Sequence, residues 1–149
     1  MAASFYSPPY VRLLPPTTRA GQACSFELQV DVTGGTQVNR TFQAPDGSLR
    51  ILAAGKGSDL VFTNGAQPSH TLELKGNGTA SWTSIGAGGS ARLTVTGHNV
   101  LFYFPTDNPA GPSTTLVVGR EDIAVDLATF QFTRLSRTGR TTDICAALT

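Results

Sequence analysis

The sequence contains few charged residues and almost no surplus of either sign. Only 14% of its 149 residues are Asp, Glu, Lys or Arg, and the formal net charge is +1. A protein that neutralises phosphates needs clustered basic side chains, so we expect no nucleic acid partner. No segment reaches the roughly 18 apolar residues of a membrane-spanning helix, and we expect no membrane partner.

Residue patterns that carry catalysis are also scarce. The chain has only two histidines, and no GxSxG segment presents a nucleophilic serine. Glu121 and Asp122 are adjacent, so their side chains point to opposite sides of an extended strand. Together with Asp107, Asn108 and Asp126 they lack the spacing of a calcium loop and indicate a solvated acidic edge. We therefore expect no enzyme activity, no metal site and no cofactor.

Only two cysteines occur, Cys24 and Cys145, and they flank almost the entire β-rich region. We predict that they form a disulfide, which implies an oxidising environment. Closing so long a loop stabilises the fold by roughly 4–5 kcal/mol in the chain-entropy model. Two buried free thiols are the alternative. A zinc site is the third and least favoured interpretation of the two cysteines, because no CxxC pair is present.

Residues 1–23 are predicted to form an extended arm, because Pro8–Pro9 and Pro15–Pro16 restrict the backbone. The segment has neither the basic nor the apolar region of a signal peptide, so we expect none there. The arm contains several large apolar side chains, and we predict that they contact another polypeptide. The alternative is that they pack on their own domain. They are Phe5, Tyr6, Tyr10, Leu13 and Leu14. A variant beginning at Gly21 is expected to fold without them.

Residues 24–149 are predicted to form one β-domain. Apolar residues alternate with polar ones, as at Phe26, Leu28 and Val30, and turn signals such as Asn64–Gly65 recur at short intervals. No segment has the spacing of a long amphipathic helix. The pattern predicts an antiparallel β-sandwich or barrel of about nine to ten short strands, with Gly97 and Gly139 as breaks and Cys145 in the closing strand.

One strongly apolar segment, Val100 to Phe104, is continuous rather than alternating, which predicts a strand buried on both faces. The loop PTDNPAGP follows, and its prolines predict a rigid, structural connection. We expect Asp107→Ala to be nearly neutral. Gly111→Val should be damaging if Gly111 adopts a positive φ.

The segments GHNVLFYFPTDNPAGPSTTLVVGR and TDICAAL resemble small secreted β-rich proteins of unknown function from high-GC Gram-positive bacteria. The resemblance covers about the last third of the chain and implies no particular activity. The chain has nine arginines and only two lysines, Lys56 and Lys75, a bias that suits these genomes and the phages that infect them.

Our hypothesis is a phage structural protein, a capsid decoration or tail component that the arm attaches to other structural subunits. It would be a homo-oligomer or bind a capsid or tail protein, at the virion surface or in the extracellular space. The alternative is a secreted module that binds glycans or cell walls through exposed aromatics. The candidates for that role are Tyr6, Tyr10, Trp82 and Tyr103.

Overall fold

The computed structural model describes residues 17–56, 58–76, 78–84 and 89–149, which form ten strands and one short helix. The strands are β1 Thr17–Thr18, β2 Leu28–Thr33, β3 Thr36–Gln43, β4 Leu49–Lys56, β5 Ser58–Asn64, β6 Gln67–Gly76, β7 Gly78–Ser84, β8 Ser90–Tyr103, β9 Ser113–Asp126 and β10 Phe132–Asp143. The helix is α1, Ile144–Ala147. The predicted all-β fold is confirmed. No helix in these ranges is long and apolar enough to cross a membrane.

The strands build two antiparallel sheets. The small sheet has the order β1-β2-β5-β6, and the large sheet has the order β10-β9-β8-β7-β4-β3. Alternation places Leu28 and Val30 of β2, with Leu60 and Phe62 of β5, in the core beneath the small sheet. These are the alternating positions that the sequence marks as apolar.

The continuous apolar segment lies between two core clusters. Val100 and Phe102 pack in the cluster under the small sheet, whereas Leu101 and Tyr103 pack in the cluster of the large sheet. All four side chains are buried, which confirms a strand buried on both faces. The last part of β8 is therefore the middle layer of three: the small sheet covers one face and the rest of the large sheet covers the other.

A row of glycines crosses the large sheet where it turns back on itself. Gly78, Gly97, Gly119 and Gly139 lie opposite one another on β7, β8, β9 and β10. At Gly119, φ is +155°, and an added Cβ would lie 2.2 Å from the Thr138 carbonyl oxygen. This glycine row lets strands approach and bend where a side chain would collide.

The bend brings the two ends of the large sheet together. On β9, Ser113 pairs with Tyr103 and Val125 pairs with Phe132. If β9 were straight, roughly 40 Å would separate these two pairs, at about 3.3 Å per residue. Instead the rings of Tyr103 and Phe132 meet edge to face, with centroids 6.2 Å apart. The sheet thus encloses its own core.

Some predicted boundaries are wrong. Gly97 and Gly139 do not end strands, because glycine lets the ladder continue through the bend; β8 and β9 each run for 14 residues. Cys145 lies in α1 rather than in a closing strand. The cause is local: the Asp143 side chain caps this turn by accepting a hydrogen bond from the Ala146 amide at 3.0 Å.

Candidate functional site

The five arm residues predicted to bind a partner, residues 5, 6, 10, 13 and 14, lie outside the described residues. The structure does describe the C-terminal end of the arm, residues 17–23. Thr17 and Thr18 pair with Gln29 and Leu28, and Thr18 is 2% exposed. The division after residue 23 stays a prediction. That a variant beginning at Gly21 folds also stays a prediction, but this variant would lack β1, which precedes Gly21.

The predicted disulfide is present and fixes the base of the arm. Cys24 and Cys145 are bonded across a sequence separation of 121, with Cα atoms 5.5 Å apart. Ala23 and Cys24 are fully buried, and the Thr114 hydroxyl donates to the Ala23 carbonyl at 2.8 Å. The segment that leads into the first long strand is therefore tied to α1 and to β9.

The C-terminal residues complete this region, which we call the disulfide corner. The Leu148 carbonyl accepts a hydrogen bond from the buried Asn64 amide at 3.0 Å, and His70 Nδ1 lies 3.0 Å from the same oxygen. The side-chain oxygen Oδ1 of Asn64 accepts a hydrogen bond from the Ala66 backbone amide at 2.9 Å. Asn64 was recognised only as a turn signal, since nothing local in the sequence points to a partner 84 positions away.

The PTDNPAGP loop is a clasp between β8 and β10. Asp107 is 5% exposed, and its carboxylate accepts from the backbone amides of Phe104 at 2.6 Å and Phe132 at 2.9 Å. Asn108 forms an isolated bridge with Thr133. The prediction of a structural loop agrees with this geometry. The expectation that Asp107→Ala is nearly neutral does not, because two amides would lose a buried anionic acceptor.

Gly111 is required for a reason other than the one expected. Its φ is not in the positive region, but an added Cβ would lie 1.7 Å from the Tyr103 carbonyl oxygen. The Gly111 amide donates to the Phe104 carbonyl at 2.9 Å. The loop therefore packs directly on the end of β8, and no side chain fits between them.

A buried carboxylate holds the folded large sheet together from inside. Glu121 is fully buried, and it accepts hydrogen bonds from the Tyr103 hydroxyl and from the Arg137 guanidinium. Burial, followed by the hydrogen bond to Glu121, raises the pKa of Tyr103. The Arg134 guanidinium carbon lies 5.8 Å from the centre of the Tyr103 ring. Tyr103, one of the aromatics considered for glycan binding, is thus a core residue; the side chains of the other three lie outside the description.

Asp122 points to the opposite side of β9, as its adjacency to Glu121 predicts. Its carboxylate accepts from Arg120 Nε at 3.1 Å, from the Thr94 hydroxyl at 2.6 Å and from the Ser136 hydroxyl at 3.1 Å. These hydrogen bonds, that from Arg120 first, lower the pKa of Asp122 to about 2. The predicted acidic edge is therefore divided: Asp107, Glu121 and Asp122 each have their own partners.

The outer surface of the small sheet is acidic. Its residues alternate with the buried Leu28, Val30, Leu60 and Phe62 and so face away from the core. Four exposed carboxylates and one lysine give this acidic face a formal charge of −3 among its described side chains. They are Glu27, Asp31, Asp59, Glu73 and Lys75.

The outer surface of the large sheet is basic. Arg50, Arg92 and Arg120 stand beside the core residues Ile51, Leu93 and Glu121, and therefore point away from that core. Arg40 lies opposite Leu52, on the same outer side. With Asp122 and the exposed Asp126, which alternates with the buried Val125, four arginines give the described side chains of this basic face a formal charge of +2. Because the core layers lie between them, the two faces are on opposite sides of the molecule.

Searches for related proteins return nothing. No protein-family model, curated protein or solved structure matches the chain. The resemblance to secreted bacterial proteins stays a prediction. Within the part of the chain that the structure describes, no group of three or more His, Cys, Asp or Glu residues is placed to hold a metal ion.

Proposed function

We propose that the protein is a non-enzymatic structural component of a phage virion surface, a capsid decoration or tail protein, anchored by its N-terminal arm. The observation that carries the proposal is the way in which the arm joins the domain. β1 pairs with β2, and a few residues later Cys24 is bonded to Cys145. A force applied to the arm would therefore be transmitted to the core of the domain, because the base of the arm is paired with β2 and covalently bonded to α1.

The roles of the acidic residues also support this function. Asp107 and Glu121, two of the carboxylates considered for chemistry, hold the clasp and the folded sheet. Both are buried, and their partners are groups of the protein itself. A disulfide spanning most of the chain suits a protein that works outside a reducing cytoplasm.

The attachment can be tested with two variants that spare β1. The first begins at Thr17; the second is full-length, with each of the five apolar arm residues replaced by Ser. Both should fold like the parent, as judged by thermal melting and by the disulfide in an unreduced digest. If the arm is the anchor, both should fail to co-sediment with particles purified from the organism that carries the gene.

Retention of both variants on the particles would contradict anchoring by the arm. An Arg19→Ser variant, altered at an exposed position just after β1, is the matched control and should remain attached. Binding to insoluble cell walls that is unaffected by arm truncation would instead favour the secreted glycan-binding module.

A further inference from the structure

We infer that copies of this chain bind one another head to tail, with the basic face of one copy on the acidic face of the next. The two faces carry formal charges of opposite sign among their described side chains, although the whole chain is nearly neutral at +1. The segregation arises from strand register and is not visible as charge runs along the sequence. It gives one molecule two complementary surfaces.

The charged groups on both faces are accessible. Arg40 and Arg50 are exposed on neighbouring strands, where Arg40 pairs with Leu52 and Arg50 pairs with Phe42. Arg120 contacts Asp122, but its side chain is 58% exposed. A guanidinium has five donors in a fork that fits a carboxylate, so an exposed arginine can bind an incoming acidic group.

The acidic face offers matching acceptors. Asp31 is exposed on β2, and Glu73 is exposed on β6. Asp59 is already paired with Lys75 at 2.9 Å, but both side chains are more than half exposed. Such a surface pair contributes about 0–1 kcal/mol, so it does not prevent the carboxylate from binding a second cation.

The basic face also has apolar area that a partner would cover. Val38 is 61% exposed and Phe42 is 51% exposed, at alternating positions of β3 on either side of Arg40. The half-buried Val61 lies on the acidic face, between Asp31 and Glu73 in the cross-strand pairing. Contact between the faces would bury apolar surface as well as pair charges.

Charge also determines the orientation. Two basic faces repel each other, as do two acidic faces, so a symmetric pair through either face is disfavoured. Unlike surfaces on opposite sides of a subunit give a heterologous contact, which produces a ring or an open column. Stacking through these faces uses no arm residue and is independent of the proposed attachment.

The test compares charge reversals of each face. One variant carries Arg40→Glu and Arg50→Glu, the other Asp31→Lys and Glu73→Lys. Sedimentation velocity is measured at 0.01 M salt, where the Debye length is about 30 Å, and at 1 M, where it is about 3 Å. The parent should associate with increasing concentration at low salt and dissociate at high salt. Each variant alone should associate at least tenfold more weakly.

An equimolar mixture of the two variants should regain association, because one retains the acidic face and the other the basic face. Arg140→Glu, at an exposed position of β10 outside both faces, should behave like the parent. A parent that stays monomeric at low salt, or variants that associate as it does, would overturn the inference. So would a mixture that remains monomeric.

The chain beginning at Thr17 should stack as the full-length chain does. Loss of particle attachment with intact stacking, or the reverse, distinguishes failure of one proposal from failure of the other.

Discussion

The molecule is closed in two places by different means. At the disulfide corner, a covalent bond joins Cys24 to Cys145, and the Leu148 carbonyl meets Asn64 and His70. At the clasp, by contrast, closure depends on a buried carboxylate and on backbone contacts that leave no space for side chains. One closure responds to the redox environment, whereas the other depends on packing and charge.

This difference determines whether each closure acts in the unfolded chain or only in the native state. The disulfide constrains the unfolded chain and can still hold when nearby hydrogen bonds open. The clasp acts only in the native state, because Asp107 and Phe132 meet only after the sheet has bent at the glycine row. The covalent closure lies beside the arm, where the proposed attachment would transmit load. Three changes test the contrast, and a fourth tests a charge outside both closures; they follow from the largest expected effect to the smallest.

Removing the disulfide should be the most costly change. The combined Cys24→Ala and Cys145→Ala variant is expected to lose roughly 4–5 kcal/mol of unfolding free energy, because the unfolded chain regains a long loop's freedom. Denaturant titration measures the loss, and reduction of the parent should give a similar value. Equal midpoints for reduced and oxidised parent would show that the corner is closed without the bond.

Filling the glycine row should rank second. In Gly119→Ala, the added Cβ would lie 2.2 Å from the Thr138 carbonyl oxygen, at a φ of +155°. Backbone strain of about 1–3 kcal/mol and overpacking of similar size predict a loss of roughly 3 kcal/mol, because the strands must separate.

Gly34→Ala is the matched control for the glycine row. Gly34 has a φ of +68°, but nothing lies within 4 Å of its added Cβ, so only the backbone strain remains. We expect a loss of about 1–2 kcal/mol there. Similar melting temperatures for the two variants would mean that close strand approach at Gly119 contributes little.

Much of the fold could be predicted because its signals are local. Alternation predicted the buried positions Leu28 and Val30 of β2, and the apolar segment 100–104 predicted the layer buried on both faces. The two cysteines allow only one disulfide within the chain. These features depend on a few consecutive residues or on a residue type with few partners in the chain.

The features that sequence reasoning missed depend on distant register. A glycine within a strand and a glycine that ends one look alike in sequence, so Gly97 and Gly139 were taken for breaks. Asp107 follows a Pro–Thr pair and was interpreted as a solvated loop residue, although Phe132 supplies an amide 25 positions later. The charges of the two outer faces likewise come together only through cross-strand pairing.

Breaking the clasp at its carboxylate should have a smaller effect than either change above. Asp107→Ala removes the acceptor for two backbone amides, one of them buried, and is expected to cost roughly 2–3 kcal/mol. Asp46→Ala is the control, since Asp46 also accepts from a backbone amide, at 2.9 Å, but in an exposed turn. We expect a clearly smaller loss of unfolding free energy there, because the exposed amide can donate to water instead. Equal losses in urea titrations would restore the interpretation of Asp107 as an ordinary loop residue.

The smallest expected effect is a pH dependence outside both closures, at Asp122 on the basic face. Its pKa is lowered from 3.8 to about 2 in the folded protein, so the folded state favours the ionised carboxylate more than the unfolded state does. The resulting stability is present above pH 4 and is lost as the pH falls towards 2. Arg120 is largely exposed, and screening limits the contribution to about 1 kcal/mol, or roughly 2–4 °C in Tm. Melting curves of the parent and of Asp122→Asn should therefore differ at pH 5 and converge near pH 2, with Arg120→Gln intermediate. A difference that persists unchanged at pH 2 would mean that the charge of Asp122 does not stabilise this face.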